Sequence, residues 1–279
     1  MISIDELTFR YDGGAEDVLR GITLHIEKGG FVGVIGPSGA GKTTLLCAMN
    51  GIIPHHFKGD YYGAVTVDGQ DTFAVSLTDL SLTVGTVFQD VESQLINAIV
   101  EDELYYGLEN FSVPKAEADR RVDEVLQQVG IESLRRRAVS SLSGGQKQKV
   151  AIAAVLALRP RILLLDEPTG ELDPVSSRQI FALLKTLNEQ HGITVVIVEQ
   201  KIMLLSEFAR ELAVIDKGLL KYHGPVREVL AHAAELEQMG VNCPRVVTLS
   251  NALTDAGIGI GSLSVNVDEA VAMMKAVLQ

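Results

Sequence analysis

The sequence has 279 residues and is 47% apolar, which suits one large domain or a domain with a small addition. Its 24 basic and 36 acidic residues give a net charge of −12, which argues against free nucleic-acid binding, because such binding needs clustered positive charge. The two cysteines, Cys47 and Cys243, are too few for a disulfide framework or a structural zinc site.

Neither a signal peptide nor a membrane-spanning segment is predicted. The first six residues lack the basic and then apolar pattern of a secretory signal. No apolar run approaches the roughly 18 residues that a membrane-spanning helix needs. We therefore expect a cytoplasmic chain with reduced cysteines.

The N-terminal segment predicts an antiparallel sheet with one exposed face. Apolar residues alternate with polar ones around residues 2–7 and again over 22–26, which is the period of a half-buried strand. Val65–Val67 followed by Asp68-Gly69 is typical of a β-hairpin.

Four continuous apolar runs predict a second sheet, whose strands are buried on both faces. Helical patterns lie between them at Pro114–Val129 and Pro174–Gln190, and Asp173 suits the N-cap of the second helix. Strands that alternate with helices predict an α/β core with a parallel sheet. The four runs are Phe31–Ile35, Val84–Phe88, Ile162–Leu165 and Thr194–Val198.

The first of these runs leads into a glycine-rich motif that suits phosphate. Residues 36–43 fit the pattern G-x-x-x-x-G-K-[ST], after a predicted strand and before a predicted helix. Glycines let the backbone wrap around phosphate oxygens, and the helix N-terminus adds positive potential. Lys42 would bind the β and γ phosphates, and the Thr43 hydroxyl is a ligand type that Mg²⁺ prefers. The motif is Gly36, Pro37, Ser38, Gly39, Ala40, Gly41, Lys42 and Thr43.

Two further motifs follow along the chain. Leu142–Gln146, with the letters LSGGQ, predicts an anion-binding turn before a buried helix over Lys147–Leu158, although alone it could be a flexible loop with an ordinary N-cap. Asp166 and Glu167 end the third apolar run, at the strand end where open α/β sheets bind ligands. Asp166 can hold Mg²⁺ through water, and Glu167 can polarise the water that attacks a γ-phosphate.

The last part of the chain has a different pattern. Val226–Met239 is predicted to be helical, and a polar, glycine-rich stretch follows over Thr254–Ser262. We expect Asp268 to cap a last helix with an apolar stripe, so that residues 226–279 form a small, mainly helical appendage. The stripe consists of Val267, Val271, Met274 and Leu278.

The P-loop, Gln89, the LSGGQ motif and Asp166-Glu167 stand in the order found in the ATP-binding-cassette (ABC) ATPases, which residues 1–225 resemble. The resemblance implies an α/β P-loop NTPase with an N-terminal antiparallel β subdomain and a helical subdomain over about residues 90–158. It also implies ATP and Mg²⁺ as cofactors, ATP hydrolysis as the activity, and two cassettes that sandwich two nucleotides.

The resemblance assigns roles residue by residue. Tyr11 would stack on adenine, Glu167 and Gln200 would be catalytic, and Asp173 of the D-loop would link the two cassettes. The Mg²⁺ ligands would be Thr43, Gln89 and Asp166. Apart from Tyr11, ATP would be bound within the chain by the eight P-loop residues, Thr44 and Gln89. The contacts to the partner's ATP would come from Ser143, Gly144, Gly145 and Gln146.

At Gln200 the chain departs from the family, which has a histidine there. Glutamine can donate a hydrogen bond to a γ-phosphate, but it cannot carry a proton near neutral pH as histidine can. Either the site is slow, with turnover carried by the partner's half, or Gln200 is an adequate substitute because positioning dominates phosphoryl transfer. We favour a working site that is asymmetric with its partner's.

Several segments resemble the ATPases of energy-coupling factor (ECF) transporters, which import vitamins or metal ions. This resemblance implies a second ABC ATPase, a transmembrane coupling protein and a membrane-embedded substrate-binding protein as partners, with the chain bound peripherally at the cytoplasmic face. Glu92–Asn97 would receive the coupling helices, and the appendage would contact the second ATPase or fold back on its own chain. The segments are Asn50–His55, Phe88–Leu95, Val100–Leu104 and Gly107–Asn110.

Three alternatives stay open. The chain could serve another kind of ABC importer, act as a catalytically weak regulatory subunit, which only Gln200 favours, or be a soluble ABC protein of translation or DNA repair. The last class usually has two cassettes or a long coiled-coil insertion, and this sequence has neither. His55-His56 is predicted to be a loop rather than a metal site, and Arg135–Arg137 a solvated turn rather than a nucleic-acid patch.

Overall fold

The computed structural model describes residues 1–278 as two sheets with helices packed around them. The strands are β1 (Ile2–Tyr11), β2 (Leu19–Ile26), β3 (Phe31–Ile35), β4 (Gly59–Val67), β5 (Gln70–Asp71), β6 (Val84–Val87), β7 (Ile162–Asp166), β8 (Thr194–Val198), β9 (Glu211–Asp216) and β10 (Leu219–Pro225). The helices are α1 (Lys42–Met49), α2 (Ile52–His55), α3 (Leu77–Ser81), α4 (Val91–Gln94), α5 (Val100–Asn110), α6 (Lys115–Val129), α7 (Gly144–Leu156), α8 (Pro174–His191), α9 (Ile202–Phe208), α10 (Val226–Leu230), α11 (Ala233–Gln238), α12 (Arg245–Asp255) and α13 (Val267–Val277).

The N-terminal sheet is antiparallel, in the order β2-β1-β4-β5. In β2 the buried residues Ile22, Leu24 and Ile26 alternate with exposed ones, as their period of two requires. Val67 pairs with Gln70 across a two-residue turn. The half-exposed sheet and the hairpin predicted from the sequence are both confirmed.

The second sheet has the order β10-β9-β3-β8-β7-β6, and only β10 runs antiparallel to its neighbour. Every residue of β3, β7 and β8 is buried, because helices cover both faces of a parallel sheet. The four predicted runs are therefore strands, although the second ends at Val87 and leaves Phe88 exposed.

Two apolar clusters form the core, one on each face of the second sheet. Val32 and Val34 point towards α1 and the N-terminal sheet, whereas Phe31 and Ile35 point towards the larger cluster that α5–α8 complete. Successive strand residues alternate between faces, and each fully buried aliphatic side chain contributes roughly 1.5–3 kcal/mol. The clusters hold the parallel strands rigidly, so their carboxyl ends form one fixed edge.

The predicted helices are present, with shifted ends. α6 begins at Lys115, with Pro114 as its N-cap, and α8 begins at Pro174 after the N-cap Asp173. α7 begins at Gly144, three residues before the predicted start, because the side chain of Ser143 already caps it. Among residues 1–278, no helix is both long and apolar enough to cross a membrane.

The C-terminal helices correct two expectations. Residues 226–239 form two helices, α10 and α11, rather than one. The N-cap of α13 is Asn266 rather than Asp268, since Asn266 has an extended backbone and its side chain accepts a 2.9 Å hydrogen bond from the Glu269 amide. Asp268 lies in the first turn instead. The domain boundary at residue 225 stays a prediction.

Three of the four residues in the predicted stripe of α13 are exposed, while Met274 is partly buried. Val267, Val271 and Leu278 are 58%, 48% and 79% exposed, and the buried residues of this helix are Ala270 and Met273. The apolar stripe is therefore available on the surface of the single chain.

Candidate functional site

The phosphate-binding motif forms a tight turn between β3 and α1. Gly36 has a φ of 151°, and a Cβ atom built there would lie 2.0 Å from the carbonyl oxygen of Ile215. Only glycine fits this position, which brings the backbone of the turn against β9. The turn ends at Lys42, the first residue of α1. The free amides of the helix N-terminus therefore face the space that the P-loop surrounds.

Lys42 is 6% exposed, and its ammonium donates hydrogen bonds to the carbonyl oxygens of Gly36 (2.9 Å) and Pro37 (2.8 Å). Burial lowers the pKa of Lys42, while the negative charges of Glu167 and Asp166 oppose that change. The charge is thus held over the turn and close to the carboxylates at the end of β7.

Asp166 and Thr43 fit a magnesium ion. Asp166 is 4% exposed, and its Oδ1 has no hydrogen-bond partner within residues 1–278. Burial raises the pKa of Asp166, while a hydrogen bond with Thr43 lowers it. A buried carboxylate oxygen without a partner is uncommon, and a hard divalent cation beside the Thr43 hydroxyl would satisfy it.

The described part of the chain contains no cluster of three or more His, Cys, Asp and Glu side chains that could hold a metal. His55 is the last residue of the short helix α2 rather than part of a loop as predicted, and its Nε2 donates to the carbonyl oxygen of Thr72 at 2.8 Å. Arg135 and Arg136 form ion pairs with the buried Glu101, so two arginines of this basic turn have a carboxylate partner within their own chain.

Glu167 is brought together with both glutamines that the sequence assigns to the site. Gln200 donates from Nε2 to Glu167 Oε1 at 2.8 Å, and Gln89 donates to Oε2 at a longer 3.4 Å. Glu167 has a positive φ of 46°, which is uncommon for a residue with a side chain. Three strand ends, those of β6, β7 and β8, therefore converge on one carboxylate.

Two residues beside Gln200 were missed at the sequence level. Glu199 is 1% exposed and accepts hydrogen bonds from the Thr169 hydroxyl (2.6 Å) and the Thr169 amide (3.3 Å). Lys201 donates to backbone carbonyls of the segment after β7. The only sequence feature that could have indicated these contacts is the charged residue on each side of Gln200. Because charged residues after a strand are ordinarily solvated, this feature does not predict buried hydrogen bonds.

Tyr11 lies next to α1. Its hydroxyl is 3.1 Å from Thr44 Oγ1, and burial raises the pKa of this phenol. The Tyr11 ring meets the half-exposed Phe57 edge-on, with 5.9 Å between ring centroids. An aromatic wall therefore stands beside the start of α1, where a flat ring could stack.

Ser143 and Gln146 cap α7 reciprocally. Ser143 Oγ accepts from the Gln146 amide, and Gln146 Oε1 accepts from the Ser143 amide at 3.0 Å. Ser143 and Gly144 are exposed, and no hydrogen bond in the described residues joins this motif to the P-loop of the same chain. Gly144 instead lines a cleft with Gln89 and Glu167.

Asp173 caps α8. It accepts from the amides of Val175 (2.9 Å) and Ser176 (3.0 Å), and hydrogen bonding by Ser176 holds the pKa of Asp173 below its usual range. Its side chain is thus fixed as an exposed carboxylate at the start of α8.

The chain on both sides of Gln89 presents apolar side chains to solvent. Phe88 is 38% exposed and Ile96 is 65% exposed. The buried Glu103 of α5 accepts hydrogen bonds from the amides of Ile96 (3.0 Å) and Asn97 (2.7 Å). This carboxylate holds the segment after Gln89 in a defined shape at the surface.

Comparison with known proteins places the chain among ABC proteins. A family model described as "ABC transporter" matches residues 19–170. A protein of Pyrococcus horikoshii, whose name marks it as a candidate ABC transporter ATP-binding protein, is 38% identical over 275 residues, which are 99% of this chain and 96% of that protein. A similarly named protein of Methanosarcina acetivorans is 37% identical over 276 residues, 99% of this chain and 42% of that protein.

Two solved structures are also similar. CbiO1 from Clostridium perfringens, described as part of the ABC transporter complex CbiONQ, has a TM-score of 0.77 and 32% identity and covers 90% of this chain and 98% of its own. The dimeric cassette MJ0796, in a post-hydrolysis state with ADP and Pi, has a TM-score of 0.70 and 31% identity, with 81% and 99% covered.

Proposed function

Because the chain belongs to the ABC transporter ATPases, we propose that it powers an importer of the ECF type, which carries a vitamin or a metal ion across the membrane. ATP hydrolysis is supported by one observation. Gln200 and Gln89 donate hydrogen bonds to the carboxylate of Glu167, at the same edge of the parallel sheet as the P-loop. The ECF part rests on the motif resemblance and on the likeness to CbiO1, which is described as part of a CbiONQ complex.

ATP would lie across the start of α1. The P-loop amides and Lys42 would bind the phosphates, and the Lys42 ammonium would exchange its two carbonyl partners for phosphate oxygens. Tyr11, already fixed beside Thr44, would stack on the adenine ring. These contacts orient the γ-phosphate towards the end of β7.

Thr43 and Asp166 would hold Mg²⁺, with Gln89 as a third ligand. When bound, the ion would neutralise charge on the β and γ phosphates. The buried, unpartnered Oδ1 of Asp166 supports this assignment.

Glu167 would accept a proton from the attacking water, in the role of general base. Its backbone leaves the strand with a positive φ, and the Gln200 amide donates to one carboxylate oxygen at 2.8 Å. The same amide has a second N–H, which can donate to a γ-phosphate. We propose that Gln200 is an adequate substitute for histidine, because it supplies position rather than a proton.

A second cassette would complete the site. Ser143 and Gly144 are exposed and have no bond to their own P-loop within residues 1–278, which supports contacts to a partner's ATP by Ser143–Gln146. Asp173 would lie at the same interface. The exposed stripe of α13 is a second candidate contact, with residues 226–279 forming the proposed appendage.

A transmembrane coupling protein would bind Glu92–Asn97. Ile96 offers exposed apolar area there, and Phe88, shortly before the segment, is exposed as well. Exposed apolar patches mark interaction sites. The chain would then be peripheral at the cytoplasmic face, with substrate choice in a membrane-embedded binding protein.

Co-purification tests the importer assignment. The tagged chain is solubilised gently from native membranes, and its partners are identified by mass spectrometry. A coupling protein with a small membrane-embedded binding protein is the expected result. A periplasmic or lipid-anchored binding protein would favour another ABC importer, and recovery of no membrane protein would contradict the transport function.

A further inference from the structure

Lys201 holds the segment between β7 and α8 from the neighbouring loop. Its ammonium donates to Thr169 O at 2.5 Å, Leu172 O at 2.9 Å and Ser177 Oγ at 2.9 Å. A lysine has three N–H donors, so these acceptors use all of them. We call residues 168–173 the D-loop segment.

Glu199, on the other side of Gln200 in the sequence, forms hydrogen bonds with the same segment. Its Oε2 accepts from the Thr169 hydroxyl and amide, and its Oε1 accepts from the amides of Gln200 (2.9 Å) and Lys201 (3.3 Å). Thr169 is therefore bound through its hydroxyl and amide by Glu199 and through its carbonyl by Lys201. It is fully buried, so these bonds are shielded from competing water.

The loop of residues 199–201 is thus hydrogen-bonded to the chain after β7 at Glu167, Thr169 and Leu172. Gln200 bonds to Glu167 just before the segment, Glu199 and Lys201 bond to Thr169, and Lys201 reaches Leu172 near its end. Asp173, the next residue, is the N-cap of α8, and Ser177 lies one turn into that helix. Gln200 is therefore connected to the start of α8 through the hydrogen bonds of its two neighbours.

We propose that Lys201 is a positioning residue that couples the γ-phosphate side of the site, at Gln200, to the exposed surface around Asp173. ATP bound beside Gln200 then sets the conformation in which the D-loop segment meets a second cassette. The inference rests on the proposed function, since it needs ATP binding and a cassette pair. The proposal adds a connection between Gln200 and Asp173, in which the Lys201 ammonium donates to neutral backbone carbonyls.

The test uses the slow variant Glu167→Gln as the parent, so that ATP-bound pairs persist. In this parent, Lys201→Met removes the three donors but keeps the length of the chain, and Lys185→Met on the exposed face of α8 is the matched control. Equilibrium dialysis gives the affinity for Mg-ATP, and sedimentation equilibrium gives the dimer dissociation constant with Mg-ATP.

For Lys201→Met we expect ATP affinity within about twofold of the parent and a dimer dissociation constant raised by about tenfold or more, because the D-loop segment loses its hydrogen bonds to a charged donor. Lys185→Met should change neither quantity. Loss of dimerisation without loss of ATP binding is the signature of coupling, whereas general damage to the fold would weaken both.

Unchanged dimerisation in a folded, ATP-binding Lys201→Met variant would overturn the proposal. If that variant does not fold, Ser177→Ala, which removes one acceptor, replaces it, and an unchanged dimer constant there has the same meaning. If the Glu167→Gln parent itself neither binds ATP nor dimerises, the proposed function fails with Lys201 intact. Failure of the parent is thus distinguishable from failure of the Lys201→Met variant alone, and it overturns the inference together with the proposed function.

Discussion

The side-chain amide of Gln200 donates a 2.8 Å hydrogen bond to the carboxylate of Glu167. A glutamine at the place of the family's histidine therefore orients the carboxylate that is proposed to act on water. This geometry assigns Gln200 a positioning role that does not depend on protonation near neutral pH.

Replacing Gln200 by histidine tests that role. We expect ATPase activity within about threefold of the parent near pH 8, because positioning dominates phosphoryl transfer. Below roughly pH 6.5 the histidine variant should acquire a pH dependence that the parent lacks. Steady-state phosphate release measures both, with Gln190→His, an exposed position at the end of α8, as control. A gain of more than about tenfold would instead identify the natural site as degenerate.

Gly36→Ala is expected to abolish nucleotide binding and to destabilise the chain. A Cβ at Gly36 would lie 2.0 Å from Ile215 O, so the P-loop must move. Gly13 also has a positive φ of 75° but has nothing within 4 Å of its Cβ position, so Gly13→Ala should cost only about 1 kcal/mol. Thermal unfolding and ATP binding of both variants are compared, and equal effects would contradict the close approach.

Asp166→Asn should separate stability from function. Burial raises the pKa of Asp166 above its unfolded value, so the ionised carboxylate destabilises the fold above the folded pKa, and this cost vanishes below the unfolded pKa. The variant should therefore melt higher than the parent at pH 7 without Mg²⁺ or nucleotide. This difference in melting temperature should shrink as the pH falls through the pKa of Asp166 in the folded chain towards its pKa in the unfolded chain, near 3.9.

The same variant should lose Mg²⁺-dependent ATP hydrolysis by about a hundredfold or more, since an amide is a poorer ligand than a carboxylate. Calorimetry across pH and phosphate release measure the two effects. A variant that melts lower than the parent at pH 7 would show that the Asp166 charge is satisfied by the protein itself.

Glu103→Ala should loosen the surface proposed to meet the membrane partner. Its carboxylate accepts hydrogen bonds from the amides of Ile96 and Asn97, and their loss should destabilise that segment by ~1–3 kcal/mol. Hydrogen exchange at these amides should accelerate, and less membrane partner should co-purify. Glu109→Ala, at an exposed position of α5, should change neither, and unchanged exchange in Glu103→Ala would contradict the role.

The strands and the turn between β3 and α1 were predictable because their signals are local. An apolar run such as Thr194–Val198 needs burial on both faces, and the P-loop pattern is contiguous over residues 36–43. The contact that excludes a side chain at Gly36 was not predictable, since it is made with Ile215 of β9. The bonds of Glu199 and Lys201 to Thr169 were not predictable, since they depend on β7 and β8 being neighbours in the sheet. The Asn266 cap was missed because Asn266 and Asp268 are both acceptable N-cap residues, and only the backbone at Asn266 selects between them.

Mg-ATP turnover by the parent and by Glu167→Gln tests the central claim most directly, with sedimentation of both proteins in Mg-ATP. The account predicts that the parent releases phosphate, that the variant is slower by about a hundredfold or more, and that the variant accumulates as an ATP-bound dimer. Hydrolysis by Glu167→Gln at the parental rate, with no dimer formed, would contradict it.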